Sequence, residues 1–358
     1  NIFIGLEAGL NTTTGRWNTV LGFKAGRDNI SGDFNTFLGY YAGWHNVDGV
    51  SNVFIGNQSG QANVSGSNNV FLGYYSGFNN LASYNTFLGY EAGFSNTNAT
   101  FNSFIGYQAG YTNGEGSHNS FMGYKAGYSN TSGNSNVFLG HNAGLSNDIG
   151  ANNVFIGRDA GSANTLGNNH VYIGNQVGTT ISEGFGNVFI GERAAELFPA
   201  GSRNVIMGFY AGSEFVDGEY WGNVIIGGAA ARKNNGSNNV IIGDAAGENY
   251  QEGGNEGSSN VFIGNEAGQF AGGMYNVYLG RGAGAGQIDV LNQGNRNVFI
   301  GNDAGKYENG DDKLYISNSG TTTPLIYGEF SGTGMLVING NNTDNAQNRL
   351  FFVNGTAG

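Results

Sequence analysis

Asn136-Val137-Phe138-Leu139-Gly140-His141-Asn142-Ala143-Gly144 returns seventeen residues later as Asn153-Val154-Phe155-Ile156-Gly157-Arg158-Asp159-Ala160-Gly161. The phrase Asn-x-Phe-Ile-Gly, with Asn as position 1, recurs from Asn1 to Asn297, mostly at 17-residue spacing. It opens about 18 coils and fits the pattern N-[VTS]-F-[IL]-G-x-x-A-G-x-x-N-x-x-G-x-x. Self-similarity at a short fixed period is the mark of a stacked repeat fold. Positions 2 to 4 are strong β-formers, and two glycines per coil stand at fixed offsets. The expected fold is all-β, a parallel β-solenoid or β-roll with a roughly 17-residue repeat over residues 1–305. Residues 306–358 then read as a β-rich capping or trimerisation segment.

Each row of the repeat has a physical reading. Position 5 is Gly in every coil, and position 9 is Gly except at Ala195 and Ala231. Such rows imply positive φ or a backbone approach too close for a Cβ, which is what corners require. Position 15 is often Gly, as at Gly15, Gly32, Gly116 and Gly150, and suggests a third corner. Side chains alternate along a strand, so positions 2 and 4 face one way and position 3 the other. Both sides are apolar, which predicts burial on both. Phe or Tyr occupies position 3 in 14 of 18 coils. These rings are expected either inside the coil or against a partner chain. Asn fills position 1 in 17 coils, and position 12 in nine successive coils from Asn29 to Asn164. Stacked Asn side chains form amide ladders along a cross-β axis, and Asn also tolerates left-handed corners.

After Gly305 the register stops. Lys313–Ser317, Leu325–Phe330, Met335–Ile338 and Leu350–Val353 read as short strands separated by turns.

Composition narrows the function. The 66 glycines show no Gly-X-Y period, which excludes collagen. Hydrophobic residues at 39% are too regularly placed for disorder. A net charge of −12, with 14 Lys and Arg spread thinly, argues against nucleic acid or an anionic membrane as partner. No apolar run is long enough for a membrane span. Zero Cys removes disulfide and thiolate chemistry.

No motif points to catalysis or a cofactor. His45, His118, His141 and His170 lie in different coils without ligand spacing. A calcium β-roll needs an Asp row, which is missing; Asp311 and Asp312 offer at most an incidental Ca²⁺ contact. Glycoside hydrolysis needs paired carboxylates. Glu214, Asp217 and Glu219, and Glu248, Glu252 and Glu256, cluster in longer connections and read as solvated loop charge. Ice binding would require an unbroken Thr row, but position 2 carries Thr only at Thr19, Thr36 and Thr86.

Two features suggest recognition. An aromatic strip at positions 6 and 10 comprises Tyr40, Trp44, Tyr74, Phe78, Tyr90, Phe94, Tyr107, Tyr111, Tyr124 and Tyr128. Flat rings on a rigid scaffold stack on sugars; the alternative is a ladder stapling neighbouring coils or chains. The long connections 213–222, 248–259 and 285–296 are the second feature, since loops on a scaffold often bind.

The stretch Asn348-Arg349-Leu350-Phe351-Phe352-Val353-Asn354-Gly355-Thr356-Ala357-Gly358 resembles the segment preceding the C-terminal intramolecular chaperone of phage tail fibres and tailspikes. In that family the chaperone trimerises the chain and cuts itself off; no cleavage residue is matched here. The Asn-x-Phe-Ile-Gly coils resemble the head repeats of trimeric autotransporter adhesins, which are left-handed β-rolls. Both resemblances imply a homotrimer. They imply a non-enzymatic fibre shaft or adhesin outside the cell, on a bacterial surface or virion, that meets a cell-surface glycan or receptor. A purely structural filament is the alternative.

Overall fold

The computed structural model describes residues 1–215, 218–233, 236–248, 257–286, 294–332 and 334–338. Two compact units are present, Asn1–Gly186 and Asn187–Gly358. The protein is a parallel β-solenoid with a repeat of about 17 residues, and no helix occurs among the described residues.

In the first unit eleven three-residue strands run from Ile2–Ile4 to Val171–Ile173. Each is positions 2 to 4 of a coil, paired in parallel and in register with the next, as in Phe54 with Phe71. The coil that is one residue shorter keeps this register, since Phe71 pairs with Phe87. Strands stop at position 5 because Gly22, Gly39 and Gly56 adopt φ of 138°, 140° and 134°. L side chains rarely adopt that region.

Position 3 faces inward. Nine rings from Phe37 to Tyr172 are fully buried, with successive centroids 4.8–5.1 Å apart. The expected alternative, that these aromatics meet a partner chain, therefore gives way to packing inside their own coil. The position-9 glycines make this possible. Gly43 has a φ of 61°, and a Cβ there would lie 2.8 Å from the Phe37 ring. Small buried residues at position 8, such as Ala42 and Ala92, close the same corner. Each buried Phe contributes about 2–3 kcal/mol. Positions 2 and 4 face outward and are half-buried or exposed.

The Asn rows are ladders, not left-handed corners. At position 12, Asn46 Nδ2 donates to Asn29 Oδ1, and the pattern repeats up to Asn164 on Asn147. At position 1, Asn18 Oδ1 accepts the backbone N–H of Asn35, while Asn18 Nδ2 donates to Gly32 O. Asn29 Nδ2 converges on that same carbonyl. This crowding explains Gly at position 15. Its φ is not positive, but a Cβ on Gly15 would stand 2.6 Å from Gly32 O. The third corner takes its positive φ at position 17 instead, as at Trp17 (54°) and Ser135 (58°). Position 7 is likewise left-handed, as at Glu7 and Lys24.

The second unit repeats this plan with broader connections. Its position-3 column passes from Phe189 through Ile206, Ile225 and Ile241 to Phe262, Tyr278 and Phe299, all buried. Ala200–Ser202 and Glu219–Trp221 form a two-stranded parallel sheet beside it. The predicted tail strands appear as Lys313–Ile316, Ile326–Glu329 and Met335–Ile338. The first continues the parallel ladder from Val298–Ile300, and the other two add antiparallel. Leu350–Val353, and the whole resemblance segment 348–358, lie outside the described residues.

Candidate functional site

The strip at positions 6 and 10 resolves into two columns in the first unit. Tyr74, Tyr90, Tyr107 and Tyr124 stack with centroids 5.1–5.3 Å apart and planes within 7°. His141 extends this column on Tyr124. Phe78, Phe94, Tyr111 and Tyr128 form the second column, at 5.1 Å spacing. Tyr75 joins the two edgewise, 4.2 Å from Tyr74 and 5.0 Å from Phe78. Tyr40 and Trp44 belong to an earlier group. Tyr40 stacks on Phe23, Trp44 packs on Tyr41 and His45, and Asn57 and Gln61 occupy these two rows in the following coil.

The repeat dictates this arrangement. Identical positions of successive coils are one strand spacing apart, about 4.8 Å, close to the thickness at which aromatic rings stack. The consequence is chemical: within a column each ring covers its neighbours' faces. Tyr74, Tyr90, Tyr107 and Tyr124 remain 41–43% exposed, presenting edges and hydroxyls. Desolvation, followed by a hydrogen bond with Glu91, holds the Tyr90 phenol above the ordinary tyrosine range. Desolvation also raises Tyr111. Both hydroxyls are neutral donors at physiological pH.

Sequence reading missed a third column at position 17. Trp17 stacks on Phe34, and Tyr84 on Phe101, with His118 above Phe101. The signal was present, because aromatics recur there immediately before the position-1 Asn.

The other candidates fall apart spatially. His45 pairs with Asp28, His118 and His141 belong to ring columns, and His170 is buried in the position-1 row. Among the described residues no cluster of three or more His, Asp or Glu could hold a metal ion. Asp312 is bound by Arg296, and Asp311 accepts from Asn295. Glu214 pairs with Arg232 and Lys233. Glu248, read as solvated loop charge, is instead buried, with Oε2 accepting from Gln269. Asp217, Glu252 and Glu256 lie outside the described residues, as do 216–217, 249–256 and 287–293 of the long connections.

The outward face of the strands is the remaining surface of note. Position 2 carries Val, Thr, Ser or Ile, and position 4 carries Ile, Leu or Met, with no charge in any coil. Val70, Leu72, Met122, Ile226 and Ile263 are among the exposed members. No helix of the described residues is long and apolar enough to cross a membrane. No protein-family model matches the chain, and neither a curated protein nor a solved structure does.

Proposed function

We propose that this chain is a non-enzymatic fibre shaft or adhesin, assembled as a homotrimer, that presents a glycan- or receptor-binding surface outside the cell. The carrier would be a bacterial surface, a virion or an injection-type particle. One observation carries the reading: the core is already filled by position 3, yet position 4 forms a further apolar row and position 2 a charge-free row of Val, Ile, Thr and Ser. Contiguous apolar surface of this length marks an interaction face. A second copy presents the same face and satisfies it; three copies is what the resemblance to adhesin heads and tail fibres adds.

Light scattering coupled to size exclusion tests the assembly. The expected mass is three times 37.5 kDa. Val154→Asp together with Val137→Asp, at half-buried outward positions, should yield a monomer with its coils intact by circular dichroism. A monomeric parent protein overturns the assembly.

The purely structural filament is favoured by a separate observation, the closure of ring faces within the position-6 and position-10 columns. In that reading the aromatics hold coils together and recognition belongs elsewhere. Binding of the protein to cells or glycan arrays separates the two, since a pure spacer retains nothing.

A further inference from the structure

Phe209 occupies position 6 in the second unit, but its column is broken on both sides. Glu192 precedes it in that row and Gly228 follows. No other ring stacks on Phe209 among the described residues; its ring contact is perpendicular packing with Tyr210 at 4.5 Å. Its exposure is 58%, against 41–43% for the four stacked tyrosines of the first unit. Phe209 thus lacks a stacked ring on either side, whereas each position-6 ring of the first unit stacks on at least one neighbour.

Phe209 stands in a cleft of about 490 Å³. Leu197 and Ala229 share the apolar floor, while Arg193, Glu196, Glu214 and Arg232 supply the polar wall. That wall is held in place. Arg193 Nη1 donates to Tyr210 Oη at 2.6 Å, and the guanidiniums of Arg193 and Arg232 lie 5.2 and 5.6 Å from the Tyr210 ring. Arg232 is paired with Glu214, and Arg193 with Glu196 at 3.8 Å. The volume falls within the usual range for small-ligand sites, roughly 300–1,000 Å³.

We propose that this cleft is a binding subsite for a neutral pyranose of a glycan chain; the proposal rests on the glycan-presenting reading above and locates its site. A pyranose has an apolar C–H face and a rim of hydroxyls. The open Phe209 face receives the first. The carboxylates of Glu196 and Glu214 accept from hydroxyls, and the guanidiniums donate to them. The two carboxylates of the wall are matched by its two guanidiniums, each already paired, so no uncompensated positive charge is left to draw in a sialic or uronic acid, which points to a neutral sugar.

The test uses the full chain against immobilised neutral oligosaccharides (cello-, chito- and galacto-series) beside sialylated and uronate-containing ones. The expected result is retention on a neutral series, weakened at least tenfold by Phe209→Ala and kept by Phe209→Trp, with melting temperature unchanged in both. Neutral binding that survives Phe209→Ala but is lost in Tyr111→Ala overturns this site and leaves the adhesin reading standing. Preference for the acidic glycans, or no binding to any series, also overturns it. The light-scattering mass reports on the trimeric assembly independently of either result.

Discussion

Asn46 Nδ2 donates to Asn29 Oδ1 across 2.8 Å, one coil apart and sealed from solvent. Eight such bonds link nine buried Asn side chains of the first unit into one ladder. The ladder satisfies polar groups that a thin core could not otherwise bury. It also fixes register, since a coil displaced by one residue would lose its amide and turn its Phe outward.

Asn96 sits mid-ladder. Its Nδ2 bonds Asn80 Oδ1 at 2.7 Å and Ala99 O at 2.8 Å, and its Oδ1 accepts from Asn113 at 2.8 Å and Asn102 at 3.3 Å. Asn96→Ala removes four bonds at about 1 kcal/mol each, for a loss of about 3–4 kcal/mol. Asn96→Asp keeps the shape but removes both donors and buries a charge, so it should lose more. Urea midpoints of the two variants check the order.

Backbone conformation gives a pair of opposite substitutions. Gly144 has a φ of 58°, and a Cβ there would lie 2.6 Å from the Phe138 ring, so Gly144→Ala should lower stability by several kcal/mol. Ser135 at position 17 is also left-handed, at 58°, but is exposed. Ser135→Gly relieves about 1 kcal/mol of backbone strain, partly offset by unfolded-chain entropy, and should raise the melting temperature slightly. Equal effects at the two sites would contradict the assignment of their different roles.

Tyr111 separates stapling from recognition in the first unit. It stacks on Phe94 and on Tyr128, both at 5.1 Å. Tyr111→Ala removes two ring pairs, each contributing about 0.5–1.5 kcal/mol beyond area burial. Calorimetry should therefore record a lower melting temperature for Tyr111→Ala, and for Tyr128→Ala. An unchanged melting temperature combined with lost glycan retention would make the column a recognition surface instead.

The coil was legible because its determinants are periodic. Phe138 and Phe155 repeat at the interval that sets the coil length, and the Asn rows announce their ladder by identity alone. What could not be read was which apolar side of the strand faces inward. Phe138 and its flanking Val137 and Leu139 are all apolar, and the decision lies in Gly144, across the corner, whose missing Cβ makes room for the ring. The left-handed turns at positions 7 and 17 were hidden for another reason. Glu7, Lys24 and Trp17 have no preference for that region, so the stacked coil imposes it on them. The Phe209 cleft was missed because it arises where a row is interrupted, by Glu192 and Gly228, and periodic reading looks for what continues.

His170 is the one non-Asn residue at position 1, and it makes the ladder sensitive to acid. Its backbone N–H still bonds Asn153 Oδ1 at 2.9 Å, but the imidazole is fully buried. Burial pushes the imidazole down to about 4 from its ordinary 6.5, against a smaller opposing effect of the Gly184 backbone hydrogen bond. The folded chain thus binds a proton less readily than the unfolded one. Stability is complete above the unfolded value, falls as pH drops from about 6.5 to about 4, and levels off below. The contribution lost over this window is up to roughly 3 kcal/mol. His170→Asn restores the row: Asn153 Nδ2 donates to the carbonyl of Gly167, fourteen residues on, and an amide at 170 would reach Gly184 O in the same way. Melting curves from pH 7 to pH 4 should fall more steeply for the parent than for His170→Asn, because the carboxylates common to both cancel in the difference. Parallel pH profiles would mean that the imidazole takes up its proton without disturbing the coils around it.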